Sequence, residues 1–164
     1  MTIEIEPPRS PEIEQLLQLG DEFAFSLYPA ENCYLLDVSE LERPGVTVFV
    51  GRDSSGRALG MAALVEKADG TAELKRMFVH EDARGQGLAS ALMDRLESAA
   101  ADAGVQTLQL ETGPLQHAAI ALYEKRGFTR ISNFGPYVDD EFSVFYAKPM
   151  PAAAPAASAG AARS

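Results

Sequence analysis

The sequence offers little to support a disulfide framework, a membrane span or a secretory leader. Cys33 is the single cysteine among 164 residues, which excludes an intramolecular disulfide and a multi-cysteine zinc cluster. No run of about 18 apolar residues is present, as a membrane-spanning helix would require. The first residues, MTIEIEPPRSPEIE, lack the basic start and apolar stretch of a secretory signal. We therefore expect a cytoplasmic protein.

Basic side chains are also scarce, since 14 Lys and Arg stand against 24 Asp and Glu, a net charge of −10. Nucleic acids and anionic membranes are bound by clustered Lys and Arg, so we expect neither as a partner. Residues 1–70 carry a net charge of −8 and residues 71–164 a net charge of −2. Either the acidic surface only maintains solubility, or the first half faces a cation while the second half accepts an anion.

The composition predicts one folded domain followed by a tail. Hydrophobic residues make up 46% of the chain and charged residues 23%, values typical of a globular protein. We expect this domain to span residues 1–149. Residues 150–164 consist mainly of Ala, Pro, Gly and Ser, which bury too little surface to offset their ordering entropy, so we expect a disordered tail.

The first half predicts a strand, two helices and a three-stranded meander. Residues 2–6 alternate apolar and acidic side chains, as a strand does. Ser10 and Pro11 are typical of a helix start, and Gly20 indicates its end. A second helix is expected over residues 32–41. Residues 46–52, 58–66 and 71–79 read as antiparallel strands joined by turn-rich segments.

The second half alternates helices and strands. Apolar residues at three- and four-residue spacing predict a helix over residues 86–103, with Gly104 as its C-terminal cap. A strand over 106–112, a helix over 118–126 and strands over 128–131 and 142–148 follow. This order predicts an α/β (mixed α+β) fold with a mixed sheet covered by helices on both faces.

A glycine-rich segment, RGQGLA at residues 84–89, stands between a predicted strand and a predicted helix. Glycines allow a ligand close to the backbone, and the free N–H groups and dipole of the following helix favour an anion such as a pyrophosphate. An ordinary turn is the alternative. The segment is neither a Walker A loop nor a Rossmann fingerprint.

A second motif follows after the next strand, where residues 119–128 read AIALYEKRGF. This segment matches the pattern A-x-x-L-Y-x-x-x-G-F, and residues 84–89 match [Q/R]-x-x-G-x-[G/A]. Together, in this order and context, the two motifs resemble those of the GNAT N-acetyltransferase superfamily. The resemblance spans about residues 46–148.

The resemblance implies a three-layer α/β/α fold whose central mixed, mostly antiparallel sheet is splayed between the fourth and fifth strands. It also implies acetyl-CoA as cosubstrate, bound between these strands, and no metal. Gln116 stands where the family often has an asparagine that touches the coenzyme, and it keeps the amide group on a longer side chain. The implied coenzyme-binding residues are Met77, Phe78, Val79, Arg84, Gly85, Gln86, Gly87, Leu88, Ala89, Ser90 and Gln116.

Three residues are candidates for the chemistry. Tyr123 matches the tyrosine that the family uses as general acid at the coenzyme sulfur; a packed helix tyrosine is the alternative. An amine nucleophile must lose a proton before it attacks, which calls for a base or a water held by one. Glu111 matches the proton acceptor of the ribosomal-protein acetyltransferase branch, and Glu73 on the preceding strand is the other candidate. Either carboxylate can instead be a simple surface charge.

The acceptor side is less defined. Strand alternation predicts that Lys75 and Arg76 point to opposite faces, paired with Glu73 or Glu111 or available to a substrate carboxylate. The acidic first half instead favours a polyamine or an amino sugar. Aromatic residues 134–137, and Phe23, Phe25 and Tyr28 in a linker after the first helix, are candidate pocket walls.

We therefore expect an acetyl-CoA-dependent N-acetyltransferase that acts on a primary amine, typically of a small molecule, by direct attack in a ternary complex. Acetylation of a protein N-terminus or lysine is one alternative, and a non-catalytic acyl-CoA-binding module is another. A homodimer stays an open alternative because similar proteins frequently form dimers.

Overall fold

A computed structural model describes residues 1–151 of the chain. Within this range the helices are α1 (Pro11–Leu27), α2 (Val38–Leu41), α3 (Leu88–Asp102) and α4 (His117–Lys125), with short 3-10 turns at Ala30–Asn32 and Glu81–Ala83. The strands are β1 (Thr2–Ile5), β2 (Val46–Arg52), β3 (Ala58–Glu66), β4 (Thr71–Val79), β5 (Thr107–Thr112), β6 (Thr129–Ile131) and β7 (Val144–Pro149).

The seven described strands form a single sheet in the order β1-β2-β3-β4-β5-β7-β6. β4 and β5 run parallel, whereas the other neighbouring pairs are antiparallel. The helix α3 connects the two parallel strands, as a crossover connection requires. The mixed, mostly antiparallel sheet expected from the sequence is therefore confirmed.

β4 and β5 separate part-way along their length. They are paired from Thr71 and Thr107 to Leu74 and Leu110, but β4 continues five residues further, to Val79, without a β5 partner. The splay expected between the fourth and fifth strands is thus confirmed.

A β-bulge in β4 coincides with this separation. Met61 faces Phe78 and Ala63 faces Lys75, so β4 has one residue more than β3 in this interval. Arg76 takes up the extra length with a φ of 58°, unusual for a residue other than glycine. Because a bulge bends its strand and increases its twist, β4 turns away from β5 where the pairing stops.

The two sheet faces are covered by different helices. α3 buries Leu88, Leu92 and Leu96 against one face, and α1 buries Ile13 and Leu16 against the other. Each helix thus removes an apolar stripe from water, the main favourable contribution to folding. α4 adds Tyr123 to the cluster on the α3 face.

The predicted end of the first helix at Gly20 is wrong, because α1 continues to Leu27. A glycine inside a helix costs only about 1 kcal/mol relative to alanine. Here Gly20 faces the ring of Phe78, with 3.7 Å between that ring and the position of a Cβ. Phe23 and Phe25 are consequently helical and not part of a linker. Pro29, just past the helix end, is the stop signal that the prediction missed.

The helix predicted over residues 32–41 is largely absent. A 3-10 turn ends at Asn32, residues 33–37 have no regular structure, and only Val38–Leu41 is helical. Asp37 and Glu40 form a capping box, which starts this short helix independently of the residues before it.

The remaining predicted elements are confirmed within two residues at either end. Gly104, with a φ of 80°, caps α3 as expected. Met150, at the start of the predicted tail, is buried, and its N–H donates to the carbonyl of Gln106. Residues 152–164 of that tail lie outside the described residues. Within the described part of the chain, no helix is long and apolar enough to cross a membrane.

Candidate active site

A cavity of about 130 Å³ opens where β4 and β5 separate. Its walls come from both halves of the chain: β4, β5 and α4 form one side, and α1 with residues 28–35 forms the other. Glu111 and Tyr123, two of the three predicted catalytic residues, both line this cavity.

Glu111 follows the last residue of β5 that pairs with β4. Its neighbours Leu110 and Thr112 are buried, whereas Glu111 points into the cavity and accepts a hydrogen bond from Ser143 Oγ at 2.9 Å. Burial raises the pKa of Glu111, although Ser143 and the charge of Lys75 oppose this. No cation within residues 1–151 forms an ion pair with it. A carboxylate with a raised pKa and a free oxygen is a suitable proton acceptor.

Tyr123 lies on the inner face of α4 with only 4% of its surface exposed. Its ring packs edge-on against Phe128, and its hydroxyl has no hydrogen-bond partner among residues 1–151. Burial, and secondarily the charge of Glu111, raises the pKa of Tyr123 well above its usual value. The hydroxyl therefore keeps its proton. Because Tyr123 lines the cavity, a ligand bound there could accept that proton.

Glu73, the third catalytic candidate, lies outside the cavity lining. Its carboxylate accepts hydrogen bonds from the hydroxyl of Tyr137 and from Lys67 Nζ, the latter at 3.2 Å. Lys75 Nζ lies 3.6 Å from the same carboxylate. Glu73 is thus surrounded by three donors in a buried network, whereas Glu111 has one.

Lys75 and Arg76 do not point to opposite faces as alternation predicts, because the bulge at Arg76 interrupts the alternation. Both side chains reach toward the first half of the chain. Lys75 Nζ donates to the carbonyl of Tyr34 and the hydroxyl of Tyr137, both at 2.7 Å. Its ion pair with Glu73 confirms the alternative of a local acid partner.

Arg76 is held by α1. Its guanidinium donates to Asp21 Oδ1 at 2.6 Å and to the carbonyl of Leu17 at 2.8 Å. Only 4% of the Arg76 side chain is exposed. Asp21 thus binds the guanidinium that the sequence suggested as a partner for a substrate carboxylate.

The aromatic segments differ in their placement. Phe23 and Tyr28 line the cavity, while Phe25 is exposed away from it. Residues 134–137 do not line it. Tyr137 instead packs against Tyr34 and neighbouring aromatic rings, so this turn covers an edge of the core.

The backbone of β4 beyond Leu74 presents free groups to the gap. His80 N–H donates to the carbonyl of Leu59 on β3, at 2.7 Å. Because successive residues of a strand direct their backbone groups to opposite sides, those of Phe78 also face β3, and those of Met77 and Val79 face away from it. Met77 and Phe78 line the cavity, and Val79 lies beyond it.

The loop over residues 84–90 leads into α3. Gly85 and Gly87 have φ values of 78° and 79°, and open space surrounds the position of a Cβ at each. Gly87 caps the helix without a side chain, so the first-turn N–H groups, those of Leu88, Ala89 and Ser90, have no side-chain capping partner among residues 1–151. Such a terminus suits a phosphate group.

The start of α3 is fixed to the sheet through one leucine. Leu88 fills a notch left by two glycines: a Cβ at Gly51 would overlap its side chain, and one at Gly60 would lie 2.9 Å from it. The loop itself stays at the surface, with Arg84 and Gln86 exposed and Gln86 Nε2 bonded to the carbonyl of Asp82 at 3.2 Å.

Gln116 lines the cavity at the start of α4. Its Oε1 accepts hydrogen bonds from Thr112 Oγ1 and from the N–H of Gly113, both at 2.9 Å. The side chain therefore closes the loop between β5 and α4 with its oxygen.

Comparison with known proteins identifies the family. The sequence profile of the "Acetyltransferase (GNAT) family" matches residues 11–128, which include both sequence motifs. The chain belongs to the GNAT acetyltransferase family. It is 40% identical over 151 residues to an IAA acetyltransferase of Azospirillum brasilense, a match that covers 92% of this chain and 98% of that protein.

Solved structures agree with this assignment. A Klebsiella pneumoniae protein, provisionally assigned as an acyl-CoA N-acyltransferase, has a TM-score of 0.78 and 34% identity, covering 91% of this chain and 97% of its own. An aminoglycoside 6′-N-acetyltransferase crystallised with coenzyme A has a TM-score of 0.68 at 17% identity, covering 92% and 98%, and so shares the fold. This GNAT enzyme is therefore an acetyltransferase with acyl-CoA as cosubstrate.

Two residues around the site were missed by the sequence reasoning. Asp21, which holds Arg76, lies beyond the predicted helix end, and Pro29 was the signal that would have placed it on α1. Ser143, which donates to Glu111, has no sequence signal because β7 pairing brings it there.

Proposed function

We propose that this GNAT enzyme transfers the acetyl group of acetyl-CoA to the primary amine of a small molecule, by direct attack in a ternary complex. The observation that carries the proposal is the shared cavity of Glu111 and Tyr123 at the point where β4 and β5 separate. A potential base and a potential acid there flank one space next to the free edge of β4.

The coenzyme would lie along the second half of the chain. The outward backbone groups of Met77 and Val79 would bind its pantetheine arm as a neighbouring strand would. The open backbone from Arg84 to Ser90 and the first-turn N–H groups of α3 would bind its pyrophosphate. Phe78 and Gln116 would line the arm where it enters the cavity.

Glu111 would accept the proton that the acceptor amine loses. A free alkylamine is mostly protonated at neutral pH, and only the neutral form has the lone pair that attacks the thioester carbonyl. Since burial raises the pKa of Glu111, its carboxylate has a higher proton affinity than an exposed carboxylate, as a proton acceptor requires. Glu73 is the weaker candidate because its carboxylate is already bound by Lys67, Lys75 and Tyr137.

Tyr123 would complete the reaction at the sulfur. As the new C–N bond forms and the C–S bond breaks, the electron pair of the latter stays on sulfur, which then takes the Tyr123 proton. Its raised pKa keeps the Tyr123 hydroxyl protonated before the reaction, and the hydroxyl has no other described partner for that proton.

The walls on the acceptor side of the cavity support a small molecule over a peptide. α1 and residues 28–35 wall the cavity, whereas a peptide would need an open groove across it. The Azospirillum relative, named for the small molecule IAA, supports the same class.

The direct test combines binding and turnover. Calorimetry with CoA, ATP and NAD should give binding for CoA alone, and thiol release from acetyl-CoA should depend on an added amine. The amine panel should contain polyamines, amino sugars, simple amines and peptides with free N-termini. Absence of CoA binding, or turnover confined to peptides, would contradict the proposal.

A further inference from the structure

Two cations, Lys75 and Arg76, line the cavity, yet neither is available to a ligand. From this we infer that the acceptor is an amine without a carboxylate group, an alkylamine or arylalkylamine and not an amino acid. The inference rests on the proposed function and names the substrate class of the same site.

Both cations are paired with groups of the protein itself. The Arg76 guanidinium has one nitrogen on Asp21 at 2.6 Å and another on the carbonyl of Leu17 at 2.8 Å. The Lys75 ammonium donates to Tyr34 and Tyr137 and lies 3.6 Å from Glu73. Each positive charge thus faces a carboxylate of the protein, and both side chains are at least 90% buried.

The unpaired charges near the cavity are negative. Glu111, Glu31 and Asp140 form no ion pair with a cation among residues 1–151. Their effect converges on the wall between them: after burial, the charges of Glu111, Asp21 and Glu31 raise the pKa of the Cys33 thiol. Asp140 and Glu111 similarly raise the pKa of the Tyr34 hydroxyl. An ammonium group is attracted to such a site, and a carboxylate is repelled.

The remaining wall is apolar and aromatic. Leu16 and Ala24 of α1 face the cavity together with the rings of Phe23, Tyr28 and Phe142. Tyr28 and Phe142 meet edge to face, with 6.4 Å between ring centroids. Because Leu115 N–H donates to the Tyr28 hydroxyl at 2.9 Å, that ring is also fixed to the loop after β5. This wall suits the hydrocarbon body of an amine, since it offers little to pair with a carboxylate.

The test compares amines with the amino acids that differ from them by one carboxylate. The pairs are tyramine and tyrosine, tryptamine and tryptophan, and cadaverine and lysine, assayed by thiol release from acetyl-CoA. We expect kcat/KM to be about 100-fold higher for the amine in the preferred pair, because a carboxylate would enter a site with no free counter-charge. Tyrosine methyl ester, which keeps the bulk without the charge, should behave like tyramine.

A variant tests the role of the pairing between Arg76 and Asp21. Asp21→Asn removes the carboxylate that occupies Arg76, so the guanidinium becomes available to a substrate carboxylate. The ratio of kcat/KM for the amine to that for the amino acid should then fall about tenfold. Glu22→Gln is the matched control: the same charge is lost one residue away on α1, at an exposed side chain whose carboxylate accepts a hydrogen bond from Gln18, and the ratio should not change.

The outcomes separate the inference from the proposed function. Amino acids used as well as their amines, or a ratio that Asp21→Asn leaves unchanged while the variant melts like the wild type, would overturn the inference and leave the transferase intact. If Asp21→Asn fails to fold, the wild-type pairs and the methyl ester decide. Thiol release with none of the compounds, although CoA binds, would overturn the proposed function and the inference with it.

Discussion

The two sides of the cavity are built from different parts of the polypeptide. On the side where we propose that the coenzyme binds, here called the donor side, β4 beyond Leu74 and the start of α3 present backbone N–H and C=O groups, and glycines keep the approach open. On the acceptor side, α1 and residues 28–35 present side chains, and the charged one that faces Arg76, Asp21, is held in an ion pair.

This difference determines what each side tolerates. Backbone groups are the same for every residue type, so the donor side depends on conformation, above all on positions with positive φ. The acceptor side depends on which side chains are present and how their charges are paired. We therefore expect substitutions on the acceptor side to change the preference among acceptor amines without weakening coenzyme binding. Substitutions at the glycines should weaken coenzyme binding without changing that preference.

The largest effect on turnover is expected at Glu111, where the two sides meet. Glu111→Gln keeps the shape but removes the proton acceptor, so kcat/KM for the amine should fall about 100- to 10,000-fold. Calorimetry should give a dissociation constant for CoA within about twofold of the wild type. A loss of less than tenfold would assign the base to another group.

The same carboxylate should control the pH profile. Because burial raises the pKa of Glu111 above its ordinary value of 4.5, the base is active above that raised pKa and is lost as the pH falls through it. The acidic limb of kcat measured with saturating amine should therefore lie above pH 4.5 and disappear in Glu111→Gln. A limb that persists in the variant would contradict this reading.

Tyr123→Phe should have the next largest effect. The variant keeps the ring that packs on Phe128 and loses only the hydroxyl, which has no other described partner. We expect kcat to fall about 100-fold, at the low end of the range for a general acid, with CoA affinity unchanged. Equal losses in CoA affinity and kcat would instead indicate a structural role.

A smaller effect is expected on the donor side at Gly87. A side chain at its φ of 79° costs about 1–2 kcal/mol, and relaxation would move the first turn of α3. Gly87→Ala should thus raise the dissociation constant for CoA about tenfold. Gly56→Ala is the matched control, because Gly56 has a φ of 88° and equally open surroundings in the turn between β2 and β3. It should lose similar stability and keep CoA affinity.

The smallest effect on turnover is expected for Glu73→Gln. The carboxylate is 5% exposed and bound by Lys67, Lys75 and Tyr137, away from the cavity. We expect kcat within about threefold of the wild type, but a loss of about 1–3 kcal/mol in the free energy of unfolding, since buried donors lose a charged partner. A kcat loss as large as that of Glu111→Gln would contradict our choice of base.

The donor side could be predicted from the sequence because its signals are local. Each of these signals lies within the element that it defines or next to it: the glycines at 85 and 87, the apolar periodicity of α3 and the LYEKRGF segment. The splay of the sheet and the family followed from these motifs and their order. The acceptor side could not be predicted in this way, since the pairing of its charges depends on residues far apart in sequence, as Asp21 and Arg76 are.

By itself, the sequence determined the mixed α/β architecture, because its apolar periodicity is local. Its resemblance to the GNAT family made the start of α3 a candidate coenzyme site and Tyr123, Glu111 and Glu73 candidates for the chemistry. Only the tertiary structure separated Glu111 from Glu73 and paired Arg76 with Asp21. The physical reason is that the availability of a charge depends on which groups fold around it. The bulge at Arg76 also turns that side chain against the alternation that its strand implies.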